Sequence, residues 1–200
     1  PASPERDQTE FSILVGLCPA LHATHGYGSE DATRVTARVS ALRELVADSP
    51  ELFLAEWTRL RNTVATVGPR GVPQAALRLL DLARDDPIGK QAAHYVAAVA
   101  SFWLGEFEAS RTHAAKAIAL HRPDQHHLML ELFGEDLSIS FAGHLSWALL
   151  FLGFADQARE VCERMLERAR AMEHPKTLAM ALLFATMLHR WLNKHAETLS

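Results

Sequence analysis

Signals for β-structure are almost absent from this chain. No run of β-branched residues alternates with polar ones, and no Asn-Gly turn joins two such runs, which argues against a sheet-based fold. Cysteine is scarce: Cys18 and Cys162 lie far apart inside apolar helical patterns. Buried free thiols are therefore expected rather than a disulfide, in keeping with a reducing cytoplasm. Long hydrophobic runs are missing too. The most apolar stretches, residues 145–155 and 178–192, fall short of the roughly 18 to 20 residues that span a membrane, and read as helices buried in protein. No membrane partner is expected. Residues 1–10 are polar and carry no leader-like apolar segment. The start at Pro1, without Met, suggests a piece of a longer multidomain protein.

An excess of positive charge is also lacking. The 24 acidic and 20 basic residues interleave to a net charge of −4. There is no basic face to collect phosphates, so no nucleic-acid partner is expected. Catalytic signatures are absent: no P-loop, no Gly-x-Ser-x-Gly, no His-Glu-x-x-His and no Cys-x-x-Cys. Gly89-Lys90-Gln91 lacks both the preceding glycine spacing and the Ser or Thr that would hold magnesium. No catalytic, cofactor-binding or metal-ligating residues are assigned, and this region is expected not to be an enzyme.

What the chain does have is helical periodicity. The clearest stripe is Ala158, Cys162, Met165, Leu166, Ala169 and Met172, backed by a charged face that includes Glu160 and Arg164 at the favourable i, i+4 spacing. Breaks are marked by Ser29-Glu30-Asp31, Ser49-Pro50, Asp86-Pro87 and His174-Pro175, each a cap or a proline suited to a first turn. The pattern predicts helical hairpins at 8–24 with 29–47, 50–67 with 73–85, 88–104 with 107–121, and 137–152 with 156–172. A helix over 176–193 and a short stub follow. The connection from His121 to Asp136 is too long for a structureless loop in a compact domain and predicts a short extra helix.

Two turns repeat: Leu104-Gly105-Glu106-Phe107 and Leu152-Gly153-Phe154-Ala155, each with a small residue, Ser110 or Ala158, five positions after the glycine. Leu192-Asn193 reads as a weaker copy, and Gly71 marks an earlier turn. The spacings between Gly71, Gly105, Gly153 and Asn193 are 34, 48 and 40 residues, the first equal to the tetratricopeptide period. Trp57, Trp103, Trp147 and Trp191 fall 46, 44 and 44 apart. They stand at different offsets from the turns, so the turns define the repeat. The expected fold is all-α: residues 1–200 as one domain, a right-handed superhelical stack of antiparallel helix pairs, a TPR-like α-solenoid.

Residues 122–190 resemble the tetratricopeptide-like region at the C-terminal end of large bacterial signalling proteins. In these, an adenylate/guanylate cyclase or Ser/Thr kinase domain is followed by an ATPase module and then the repeats. The likeness is carried by Arg122-Pro123-Asp124-Gln125-His126, Phe133-Gly134-Glu135-Asp136, Trp147-Ala148-Leu149, the 152–158 turn, and His174-Pro175 with Leu178-Ala179. Gly16-Leu17 and Thr24-His25-Gly26-Tyr27 extend it upstream. The resemblance implies a non-catalytic scaffold in the cytoplasm that binds a peptide, a partner protein or other domains of its own chain. It also implies that the first helix of each pair lines a concave surface. Tyr95, Val99, Phe102, Trp103, Trp147, Phe151 and Trp191 are then candidates for a partner-binding groove, with core packing as the alternative for each. Helical regions of LuxR-type and MalT-like regulators are similar, which leaves a small-ligand sensory domain as the second reading.

Histidine is plentiful at 11 residues. His22 and His25 are three apart, which can place two imidazoles on one helix face, and His121, His126 and His127 cluster in the long connection, but no acidic or cysteine partner has a telling spacing, and capping, surface and groove roles account for them. His144 and His189 read as core histidines or groove contacts. Between 178 and 192 only Thr186, His189 and Arg190 are not apolar, so the last helix is expected to hide a face, with a homodimer as one outcome.

Overall fold

A computed structural model describes residues 3–46 and 51–198, with side chains as far as Leu192. The described residues are helical throughout, without strands. The helices are α1 (Pro4–His25), α2 (Glu30–Arg43), α3 (Leu52–Thr66), α4 (Val72–Ala83), α5 (Pro87–Trp103), α6 (Phe107–Leu120), α7 (His126–Phe133), α8 (Leu137–Phe151), α9 (Ala155–Ala171) and α10 (Pro175–Thr198). Helices adjacent in sequence pack side by side except at α7, which turns aside to α1 while α6 packs directly on α8. The expected cap at Ser49-Pro50 lies outside the described residues.

The other stop and start signals act as their chemistry requires. The Ser29 hydroxyl accepts from the Ala32 N–H at 3.2 Å. The Asp86 carboxylate accepts from the N–H groups of Ile88 and Gly89 at 3.0 and 2.9 Å, satisfying donors that a helix start leaves open. At α10 the His174 imidazole takes the capping role, with Nδ1 accepting from the Thr177 N–H at 3.3 Å.

The two Leu-Gly turns are built alike. Each glycine has a left-handed backbone, φ 80° at Gly105 and 88° at Gly153. The N–H of the residue after each glycine returns to a carbonyl inside the preceding helix, Glu106 to Ser101 and Phe154 to Leu149, both at 2.9 Å. Ser110 and Ala158, the small residues five positions on, are completely buried. Helices α5 and α6, and α8 and α9, can therefore approach closely. The expected turn at Asn193 is not there: α10 continues to Thr198. Asparagine tolerates the left-handed conformation but does not impose it, and the residues around it are good helix formers.

The 121–136 connection forms a single 3-10 turn (Pro123–Gln125) and then α7. This insert reaches back to the first hairpin. Met129 and Phe133 are buried, and the Phe133 ring lies 4.7 Å from that of Trp57 on α3. Gly134 (φ 71°) abuts α1 so closely that a Cβ there would stand 2.3 Å from the Pro19 carbonyl oxygen. Asp136 caps α8 through the Ser138 N–H at 2.9 Å and holds the His126 imidazole at 2.7 Å.

Three apolar clusters make up the core. One joins α1, α2 and the start of α3, with Phe11, Cys18 and Leu42. The central one joins α3, α4, α5, α6, α7 and the start of α8. The third joins α8, α9 and α10, with Cys162, Phe184 and Leu188. The two cysteines are free and buried in separate clusters. No described helix is long and apolar enough to cross a membrane. Helix α10 buries Ala181, Phe184, Ala185 and Leu188 while Leu182 and Leu183 face solvent.

Gly153→Ala forces a side chain into a left-handed backbone and should cost about 1 kcal/mol. Gly28 lacks a left-handed φ, and its nearest neighbour is 3.7 Å from an added Cβ, so Gly28→Ala should cost clearly less. Thermal melting checks this: a drop of about 2 to 4 °C for the first and a smaller one for the second. Equal drops would show that the turn geometry carries no stability.

Candidate functional site

Alternate helices build a chemically distinctive cavity among the described residues. A groove of about 550 Å³, open to solvent, is lined by Arg61 and Val64 of α3, Tyr95, Val99 and Trp103 of α5, His144 and Trp147 of α8, and Met180 and Phe184 of α10. Tyr27, Ala65 and Pro69 complete its rim. Tyr95, Val99 and Trp103 are four residues apart, so they form one stripe along α5. A second cavity of similar size, between α6, α8 and α9, mixes apolar residues with Arg111 and Arg164, which are already ion-paired along their own helices.

Of the seven candidate residues, four line this groove. Tyr95, Val99 and Trp147 are buried in its floor, whereas Trp103 projects with 56% of its surface exposed. Phe102, Phe151 and Trp191 instead form an aromatic cluster beside it. Phe102 is buried, Phe151 is 47% exposed and Trp191 is half-buried. Ring centroids are 5.1 Å apart for Phe151 and Trp191 and 5.2 Å for Trp147 and Trp191, and Phe107 stacks on Phe151 at 4.8 Å. This cluster wedges the ends of α5, α8 and α10 together. The indole N–H of Trp147 donates to the Phe184 carbonyl at 3.0 Å, so that ring is tied to α10.

The polar chemistry of the groove comes from residues that periodicity does not single out. The Arg61 guanidinium carbon lies 4.4 Å from the centre of the Tyr27 ring and 4.8 Å from that of Tyr95, a cation between two aromatic rings. Its Nε is buried without an acceptor. The Tyr27 hydroxyl donates to Glu135 at 2.5 Å, and the Ser140 hydroxyl donates to the other oxygen of that carboxylate at 3.0 Å. Burial pushes the Tyr27 hydroxyl well above its ordinary range, with the Glu135 charge adding to it, and burial takes Tyr95 up to about 12. Both stay protonated donors. Lys176 donates to the Gly134 carbonyl at 2.7 Å, its ammonium depressed by burial.

His144 is buried, its Nδ1 2.9 Å from the Ser140 carbonyl, where the ring N–H donates. Burial lowers its pKa to about 4, and Arg61 adds to the shift. His22 likewise falls to about 4 through burial, and neither of its ring nitrogens has a partner. His25 is exposed on the same helix. His121 lies against Arg168, and His126 against Asp136. No group of three or more potential metal ligands converges among the described residues.

Stacking surfaces and one cation suit recognition of a ligand. The sequence offered no signal for Arg61, which lies on α3 between ordinary core positions. Tyr27 could have been suspected from its place in the Thr24-His25-Gly26-Tyr27 stretch. Comparison with protein-family models, with curated proteins and with solved structures finds no match to this chain.

The buried neutral histidines make stability depend on pH. Unfolded, each takes a proton near 6.5; folded, His22 and His144 resist protonation until about 4. Between those values the unfolded state binds more protons, so stability falls as pH falls, by up to about 1.4 kcal/mol per pH unit for each histidine. Urea unfolding at pH 7, 6 and 5 should show this decline. His144→Gln should make it shallower; an unchanged slope would mean that His144 is not held neutral.

Proposed function

We propose that this chain is a non-catalytic protein-interaction and regulatory module, a TPR-like right-handed α-solenoid within a cytoplasmic bacterial signalling protein whose cyclase or kinase domain lies elsewhere. The observation that carries the reading is the groove: open rather than enclosed, built from alternate helices, and presenting Trp103 to solvent. The packing supports a curved stack. Helices α3, α5, α8 and α10 touch one another in succession, whereas α4, α6 and α9 pack mainly on the members of that row that flank them, with no comparable contact among themselves. A row that is crowded on one side and splayed on the other curves toward the crowded side, and such curvature makes docking surfaces. An exposed tryptophan over an apolar floor suits an extended peptide or a neighbouring domain.

The test is selection of 12-residue peptides from a random library on the immobilised chain. Bound peptides should lose at least tenfold in affinity on Trp103→Ala, which should melt within a few degrees of the parent because the ring is largely exposed. Absence of any binder, or binders indifferent to Trp103, would reject the reading. The volume also lies within the range of small-molecule sites, and that favours small-ligand sensing as a second reading. It would be preferred if a thermal-shift screen of small aromatic acids raised the melting temperature while no peptide bound.

Leu182 and Leu183, exposed side by side on α10, form a separate apolar face that we assign to pairing of two copies with twofold symmetry. Light scattering should report a dimer that Leu183→Glu dissociates. A soluble monomer at high concentration would remove this assignment.

A further inference from the structure

We infer that the segment recognised by the groove carries an acidic side chain three or four residues from a large apolar one, the carboxylate meeting Arg61 and the apolar group Trp103. The inference rests on the peptide-binding reading and adds the chemistry of the ligand. Arg61 is the one charged side chain among the residues lining the groove, and the lining contains no carboxylate. Its guanidinium is fixed between the rings of Tyr27 and Tyr95, and its Nε is buried without an acceptor. The side chain as a whole is only half-buried and lines the groove, so an anionic acceptor from a ligand can meet the guanidinium there.

Glu135 does not fill that role. Its charge favours the Arg61 cation, but its hydrogen bonds go to the hydroxyls of Tyr27 and Ser140. The charges of Arg61 and Lys176 both act in its neighbourhood. Two cations against one carboxylate leave a local positive charge that a ligand carboxylate would neutralise. The chain as a whole carries net charge −4, so long-range steering does not favour an acidic ligand and selection must act at contact distance. A single carboxylate suits this arrangement better than an acidic run, whose further charges would meet no partner.

The spacing follows from α5. Tyr95, which touches Arg61, and Trp103 are eight residues apart on one helix, or about 12 Å along its axis. An extended peptide covers that distance in three or four residues. The apolar neighbour would lie on the exposed Trp103 ring, while Val99 and Trp147 floor the interval.

The experiment uses terminally blocked peptides, N-acetylated and C-amidated, so that a chain-end carboxylate cannot substitute. Peptides selected on the chain should be enriched in Asp or Glu three or four positions from Trp, Phe, Leu or Met. Changing that acid to its amide should weaken binding at least tenfold on the parent chain and less than twofold on Arg61→Met. Arg61→Lys should keep most of the preference. Should Arg61→Met fail to fold, the acid-to-amide comparison on the parent and on Arg61→Lys still decides. Trp103-dependent binding without preference for the acid would overturn this inference and leave the groove reading standing. No binding of any peptide would overturn both, and an acid preference unchanged in Arg61→Met would place the anion site elsewhere.

Discussion

The Glu135 carboxylate is buried at the point where the α7 insert meets both the loop after α1 and the first turn of α8. A carboxylate out of water is costly unless its oxygens are hydrogen-bonded. Tyr27 supplies one bond and Ser140 the other. Those two bonds hold the loop that carries Tyr27 over α3 and so place one of the two rings that sandwich Arg61. Gly134, which alone among residue types fits against the Pro19 carbonyl, brings the carboxylate to that position. The groove's polar end depends on this tie between segments more than 100 residues apart.

The groove and its flanking cluster use aromatic residues in opposite ways. Trp147 has its N–H on the Phe184 carbonyl and its ring within 5.5 Å of Phe102, so it belongs to the scaffold that joins α5, α8 and α10. Trp103 closes the same helix face but remains largely in water. Burying an indole ring is favourable, so a tryptophan held in solvent above an apolar floor keeps that gain available to a ligand.

Much of the helical frame was legible in the sequence. The Asp86-Pro87 and Ser29 caps, the stripe on α9 and the paired Leu-Gly turns each work through backbone chemistry confined to a few neighbours, so local pattern suffices. The extra helix in the 121–136 connection followed from length alone. Asn193 shows where such reasoning stops: a residue that permits a turn does not require one, and α10 runs through it. The Phe133-Gly134-Glu135-Asp136 run stood out as a family likeness, and in the structure its four residues pack on Trp57, clear Pro19, bind Tyr27 and cap α8.

The candidate site was legible only in part. Tyr95, Val99, Trp103 and Trp147 were singled out through the family likeness, and only the first three share a face by their spacing on one helix. Which of them would be floor and which would stand in solvent depended on neighbouring helices. Arg61 could not be found at all, because its meaning comes from Tyr27 and Tyr95, one in a distant loop and one on another helix. By itself the sequence determined the helices, their caps and their tight turns, whose energetics are settled within a few residues. Only the tertiary structure decided where the insert docks, which aromatic rings remain exposed, and that a lone cation faces the groove, because each of these is a contact between parts of the chain that no local pattern links.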